Sequence, residues 1–336
     1  MQTVTLAHVA ARAGVSVSTV SRVLSGARPV TPAVDAVVKK AAAELGYSGN
    51  GIARALRRNQ TDAIGMVVPS ILNPFFTTLV DSMERALWAQ GKILYLCDSR
   101  YDPAVEADQL RSLIDRHVDG IVVSPCHDEL SVEAITRSAL QVPLVQLDRR
   151  VPVENTDWVG VDDDIAMGLL LGHLHATGVR SVALVTAELT NSSTRDRLAG
   201  FQRHSAALGM STRPEWLVLG DFTVGSGEAA GRTLLQTANR PDAIVCADDL
   251  IAFGVLRAAR ELGVSVPGEV QVTGFDNLEL AGIVEPPLTS IDQPTARMTD
   301  EVLRLLQQRR VDTAASGTRV ALAPRLVTRA STRTVG

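Results

Sequence analysis

No stretch of the chain approaches the ~18 uninterrupted apolar residues that cross a bilayer, so neither a membrane span nor a membrane partner is expected. The first residues, MQTVTLAHVAARAGVS, lack a basic start followed by an apolar core. Without such a signal the protein is expected in the cytoplasm. Cysteine is scarce: Cys97, Cys126 and Cys246 lie far apart, each in an apolar run, with no CxxC or metal spacing. They are expected to be reduced, buried packing residues. The marks of catalysis are missing as well. No GxxxxGK[ST] loop occurs, and GSGEAAG at 225–231 departs from GxGxxG and is expected to open a helix. Ser181, Ser192 and Ser193 sit in no GxSxG elbow. His117, His127, His173, His175 and His204 form no ligand pattern with acids. The expectation is therefore no enzyme, no metal and no cofactor.

What is present suits a soluble protein of two or three domains. The 336 residues are 46% apolar and 21% charged, enough for a sizeable core. The net charge of −4 is unevenly spread. Residues 1–60 hold eight Lys/Arg against two acids, net +6, which leaves −10 for the remainder. A basic head on an acidic body points to a polyanion partner for the head.

Three zones follow in order. Residues 1–48 are helical in pattern, 49–61 (GNGIARALRRNQT) read as a linker, and from Asp62 strands alternate with helices. The expected strands are Ala63–Pro69, Ile93–Cys97, Gly120–Ser124, Leu144–Leu147, Trp158–Val161, Val182–Thr186, Ile244–Ala247 and Val270–Gly274. Amphipathic helices are expected at Phe75–Gln90, Ala104–His117, Ala166–Thr177, Arg195–Leu208 and Leu250–Leu262. Alternation of apolar strands and helices implies parallel sheets buried on both faces, and eight or more such units exceed one ordinary sheet. Two doubly wound sheets with their carboxyl ends facing would form a ligand cleft.

The strongest local signal is TLAHVAARAGVSVSTVSRVLSG at 5–26. Thr5 caps a helix Leu6–Ala13, Gly14 makes the turn, and Ser16 caps a second helix, Val17–Leu24. Val9, Val15, Val20 and Val23 would pack the pair, and Ala10 lets them approach. The second helix then presents Val17, Ser18, Thr19, Ser21 and Arg22, short and polar enough for a DNA major groove. An ordinary helical hairpin is the plain alternative. The segment, followed by LGY at 45–47, NGIARAL at 50–56, NPFF at 73–76, DGIVVSP at 119–125, LDR at 147–149, RLAGF at 197–201, ADDLIAFGVLRA at 247–258, VTGFDN at 272–277 and PPLTSIDQP at 286–294, resembles the lactose-repressor (LacI/GalR) family over nearly the whole chain.

The resemblance implies an all-α helix-turn-helix domain at 1–48, a hinge helix at 49–61, and an effector-binding and dimerising α/β domain at 62–330 like a periplasmic binding protein. Its first lobe would span about 62–160 and 293–320, its second about 161–292 and 321–330. Partners implied are palindromic double-stranded operator DNA, a small-molecule effector and a second copy of the chain. The protein would sit on the bacterial nucleoid when bound to DNA. DNA contacts are carried over to Thr5, Leu6, Ser16, Val17, Ser18, Thr19, Ser21 and Arg22, and in the hinge to Asn50, Ala53, Arg54, Leu56 and Arg57. Leu56 would enter the minor groove and insert between base pairs. Gly49 stands where the family usually has proline, and His8 where it often has Asp.

Effector contacts implied by the family are Phe75, Phe76, Asp148, Asn191, Ser193, Arg197, Phe222, Asp248, Asp276 and Gln293. Aspartates accepting hydroxyl hydrogens, an arginine fork and phenylalanine walls suit a sugar. Asp248 stands where the family commonly has Asn, and the extra carboxylate disfavours an anionic effector. Plainer readings stand beside these: Asp148 as a cap or partner of Arg149, and Phe76 as core. A purine or other metabolite is the alternative effector, and a sugar-transport component the alternative function. The tail, SGTRVALAPRLVTRASTRTVG, reads as a last strand and a polar end without leucine heptads, so a dimer rather than a tetramer is expected.

Overall fold

The computed structural model describes residues 4–25, 30–47, 60–312 and 316–334. The hinge positions Asn50, Ala53, Arg54, Leu56 and Arg57 lie outside the described residues. Internal contacts separate two units, one through Ala63 and one from Ile64.

The N-terminal unit has three helices, α1 Leu6–Ala13, α2 Val17–Ser25 and α3 Pro32–Glu44. α1 opens where Nδ1 of His8 accepts the Thr5 N–H at 3.2 Å, so His8 fills the reciprocal capping role usually given to an acidic or amide side chain. It closes at Gly14, whose φ of +66° favours glycine. α2 opens at Ser16, whose Oγ accepts the Thr19 N–H at 3.2 Å. Val9, Val20 and Val38 are fully buried, one from each helix, and Ala10, Val23, Ala41 and Ala42 fill around them. Burying a valine side chain contributes about 1.5–3 kcal/mol. Val15 packs on the edge of this core.

The larger unit carries twelve strands among its described residues: β1 Ala63–Val68, β2 Ile93–Asp98, β3 Gly120–Val123, β4 Leu144–Leu147, β5 Asp157–Val161, β6 Val182–Ala187, β7 Leu217–Gly220, β8 Ala243–Cys246, β9 Gln271–Phe275, β10 Thr289–Asp292, β11 Arg319–Leu322 and β12 Arg325–Val327. They form two six-stranded sheets, ordered β11-β5-β4-β3-β1-β2 and β12-β10-β9-β8-β6-β7. β1 runs parallel to β3 with Met66 opposite Val122, and β6 parallel to β8 with Val185 opposite Cys246. β12 is antiparallel to β10. β1, β3, β4, β5, β6, β8 and β9 are buried along their whole length, which is why they read as continuous apolar runs. The chain passes between the sheets after β5, after β10 and after β11.

Eight longer helices complete it: α4 Pro74–Trp88, α5 Pro103–Asp115, α6 Val132–Ala139, α7 Asp163–Ala176, α8 Ser192–Ala207, α9 Val224–Leu235, α10 Asp249–Glu261 and α11 Thr295–Val311. Most begin on a side-chain cap. Asn73, Asp102, Asp162, Asn191, Thr223 and Asp248 accept the N–H of Phe75, Ala104, Ile165, Thr194, Ser226 and Ile251, at 2.8–3.1 Å. GSGEAAG lies within the first turns of α9.

Three expectations need correction. β7 and β10 are strands that apolar patterning passed over. The tail supplies two strands, one to each sheet, rather than one. Cys97 is half-buried, unlike Cys126 and Cys246, because β2 is an edge strand.

α9 and α10 touch backbone to backbone. A Cβ on Gly254 would lie 2.1 Å from the Val224 carbonyl oxygen, and one on Gly227 2.1 Å from that of Ile251. Gly254→Ala is expected to destabilise the larger unit by about 2–3 kcal/mol and lower Tm by roughly 5–10 °C. Thermal unfolding within 1 °C of the parent would show that the two helices separate at little cost.

Candidate functional site

On the N-terminal unit, Ser16, Val17, Ser18 and Arg22 are exposed along the start and middle of α2, while Thr19 and Ser21 are half-buried. Val17 is 47% exposed, unusual for valine in so small a core. Ser16 Oγ lies 2.8 Å from Ser18 Oγ and 2.9 Å from Thr19 Oγ1, so three hydroxyls form one polar patch beside it. Thr5 is exposed and Leu6 half-buried against the core. An exposed first turn of short hydroxyl residues with an arginine one turn on is a surface that can enter a major groove.

In the larger unit the other candidates follow carboxyl ends of strands in the two sheets. Phe75 and Phe76 lie on the first turn of α4, after β1. Asp148 follows β4 with φ +64°, Asp248 caps α10 after β8, Asp276 follows β9 with φ +103°, and Gln293 links β10 to α11. Because Asn191 caps α8, that helix starts at Ser192, and Ser193 sits on its first turn rather than in a loop.

Arg197 is the centre of this set. It is buried, with Nε donating to Asp163 Oδ1 at 2.9 Å and Nη1 to the Ala247 carbonyl at 2.6 Å. Its guanidinium carbon lies 3.6 Å from the Phe275 ring centre. Burial pushes Asp148 and Asp276 above the usual carboxylate range, Asp276 the further, against the pull of Arg197. Asp276 Oδ1 accepts Gln293 Nε2 at 2.7 Å. Burial likewise lifts Asp163 and Asp248 to about 6.

A second arginine was not singled out from the sequence. Arg149 is buried, its guanidinium 5.4 Å from the ring centres of Phe76 and Phe222 and 5.5 Å from that of Tyr101. Asp148 Oδ2 is 3.9 Å from its Nε, too far for a hydrogen bond. Its Nε and Nη1 have no hydrogen-bond partner, and neither have Asp248 Oδ2, Gln293 Oε1, Ser193 Oγ and Ser124 Oγ. Buried polar atoms are nearly always paired, so these leftover donors and acceptors are unused hydrogen-bonding capacity, and Arg149, Asp248 and Gln293 are linked to one another through the charges of Arg197 and Asp276.

Residues 5–50 match the model of bacterial regulatory proteins of the lacI family, and residues 171–332 that of a periplasmic binding protein-like domain. The transcriptional repressor PurR of Mannheimia succiniciproducens is 32% identical over 98% of this chain and 99% of its own length. The chain belongs to the LacI family. Among solved structures of the family, the regulator CelR in complex with cellobiose is 33% identical, covers 98% of this chain and 99% of its own, and has a TM-score of 0.74. The Lac repressor bound to ONPG is 28% identical, covers 98% and 100%, and has a TM-score of 0.89. This member is accordingly a DNA-binding transcriptional regulator under allosteric control by a small molecule, with a helix-turn-helix head and a body of two parallel-sheet lobes. Among its described residues no helix is long and apolar enough to cross a membrane.

Beneath the lobes' carboxylates lies Asp249, fully buried. It accepts Ser290 Oγ and the Leu278 N–H, both at 2.7 Å, yet burial still lifts it to about 7. A carboxyl raised above its ordinary 3.8 binds a proton more tightly folded than unfolded. Its charge penalty is absent below pH ~4 and complete above ~7, so stability falls as pH rises through that window. Urea unfolding across this range is expected to show the parent losing stability relative to Asp249→Asn. A pH-independent difference would mean that Asp249 carries no such proton.

Proposed function

We propose that this regulator is a homodimeric repressor whose hold on a palindromic operator is set by a sugar bound between its lobes. The observation that carries the sugar reading is the leftover hydrogen-bonding capacity around two buried arginines and four aspartates, walled by Phe76, Tyr101 and Phe222. Hydroxyl groups donate and accept at once, and a sugar ring offers an apolar face to phenylalanine. In this reading Arg149, Arg197, Asp148, Asp248, Asp276, Gln293 and Ser193 contact the sugar, Phe75 packs behind Phe76, and Asn191 serves as the cap that sets Ser193. The cellobiose-bound relative favours it. The purine alternative is favoured by the name of the PurR relative, and the aromatic walls admit a flat base as well.

The dimer reading is supported by apolar surface on one edge. Ile93, Tyr95 and Leu96 on edge strand β2 are 42–49% exposed and Trp88, at the end of α4, 72%. An exposed apolar sheet edge invites another chain. On the resemblance, Leu56 inserts into the minor groove only when two hinges are brought together, with Asn50, Ala53, Arg54 and Arg57 around it, while Thr5 to Arg22 read the major groove.

Calorimetric titration with a panel of monosaccharides, disaccharides and purine bases tests the effector. A sugar should bind, and Arg149→Met should weaken it about 10–100-fold with the fold intact. Purine binding without any sugar response would overturn the reading. In gel shifts, Leu56→Ala should lower operator affinity roughly tenfold or more, and Arg22→Ala should reduce discrimination between operator and random DNA. Undiminished operator binding by the Leu56 variant would remove the hinge from the mechanism.

A further inference from the structure

Two loops of the first lobe reach the start of α8 in the second. Asp128, after β3, donates its N–H to the Thr190 carbonyl at 2.9 Å and pairs its carboxylate with Arg195. Arg150, two residues past Asp148, donates its N–H to Ser192 Oγ at 2.9 Å and pairs Nη1 with Asp196 Oδ2 at 2.8 Å. Each loop thus makes one backbone hydrogen bond and one ion pair with the seven residues Thr190–Asp196 that end just before Arg197.

Both loops are braced from within their own lobe. Buried Glu106 accepts the Cys126 N–H at 2.8 Å, and Ser131 Oγ accepts the His127 N–H at 3.2 Å. The Arg150 guanidinium rests 4.8 Å from the Trp158 ring centre. Rigid loops carry a small shift of one lobe to the other instead of absorbing it.

We infer that Asp128 and Arg150 are positioning residues. They clasp the lobes through the N-terminal turn of α8 and hold Ser193 and Arg197 in register with Asp148 and Arg149. The clasp goes beyond the sugar reading, since it acts on any occupant of the site. Its ionic half is salt-sensitive: Arg195 and Asp196 side chains are 49% and 36% exposed, where counter-ions screen. Its backbone half is a built-in reporter, because the Asp128 and Arg150 amides are protected only while the lobes are together.

Hydrogen exchange on the intact chain, followed in peptides containing Asp128 and Arg150, tests this. Arg195→Gln, or raising salt from 50 to 500 mM on the parent, should speed exchange of both peptides about fivefold. The Ile251 amide, bonded to Asp248 within the second lobe, should not change. The charge swap Asp128→Arg with Arg195→Asp should restore protection towards the parent level. Unchanged exchange in Arg195→Gln overturns the clasp. So does a swap no better protected than the single variant, or a parallel rise at Ile251, which would mean a loosened lobe.

Discussion

A guanidinium with almost no access to water must be neutralised where it sits, because it cannot shed its proton. Arg197 is such a group, and much of the effector unit is arranged around it. Its partner Asp163 is the first residue of α7, at the point where the chain leaves the first sheet for the second lobe. Its other acceptor, the Ala247 carbonyl, immediately precedes the cap of α10, and the ring beneath it belongs to the last residue of β9. One side chain on α8 therefore ties α7, α10 and β9 together. Arg197 also bears on Asp148 and Asp276: burial opposes their charge and raises both, Asp276 well above its ordinary range, and Arg197 offsets only part of that rise.

Capping and ligand capacity are linked by economy of side chains. Asp248 spends Oδ1 on the Ile251 N–H and leaves Oδ2 buried without a partner. The helix start fixes the rotamer, so the spare oxygen has a defined direction. Gln293 does likewise, donating to Asp276 and leaving its carbonyl oxygen over. A loop residue without such a tie would lose side-chain entropy on binding.

Much of this was legible in the sequence because the fold is written in two periodicities and a set of caps. Fully buried parallel strands read as apolar runs, and Thr5, Gly14 and Ser16 bracket the first two helices by their chemistry. β10 was not legible, since Thr289 and Ser290 are polar. They are fully buried nonetheless, with Ser290 bonded to Asp249 and Thr289 to Thr332, contacts spanning about forty residues that no local window contains. β7 is a partly exposed edge strand and carries a weak pattern for that reason. Arg149 was hidden by its neighbour: beside Asp148 it looked like half of an ion pair. That ion pair is present at 3.9 Å, and three aromatic rings from three separate segments, which no local window contains, surround the guanidinium as well.

The unpaired buried atoms also bear on allostery. Each buried polar group left without a partner costs about 1–3 kcal/mol, and those on Arg149, Asp248, Gln293 and Ser193 come from both lobes. A ligand that pairs them all can do so only with the lobes together, so its contacts differ between the closed and open arrangements. That difference is the whole of what a ligand can contribute to a shift in conformation. A molecule that met the atoms of one lobe alone would bind and change nothing downstream. In the proposed reading recognition and regulation depend on the same few atoms, and by linkage the operator changes effector affinity by the same factor as the effector changes operator affinity.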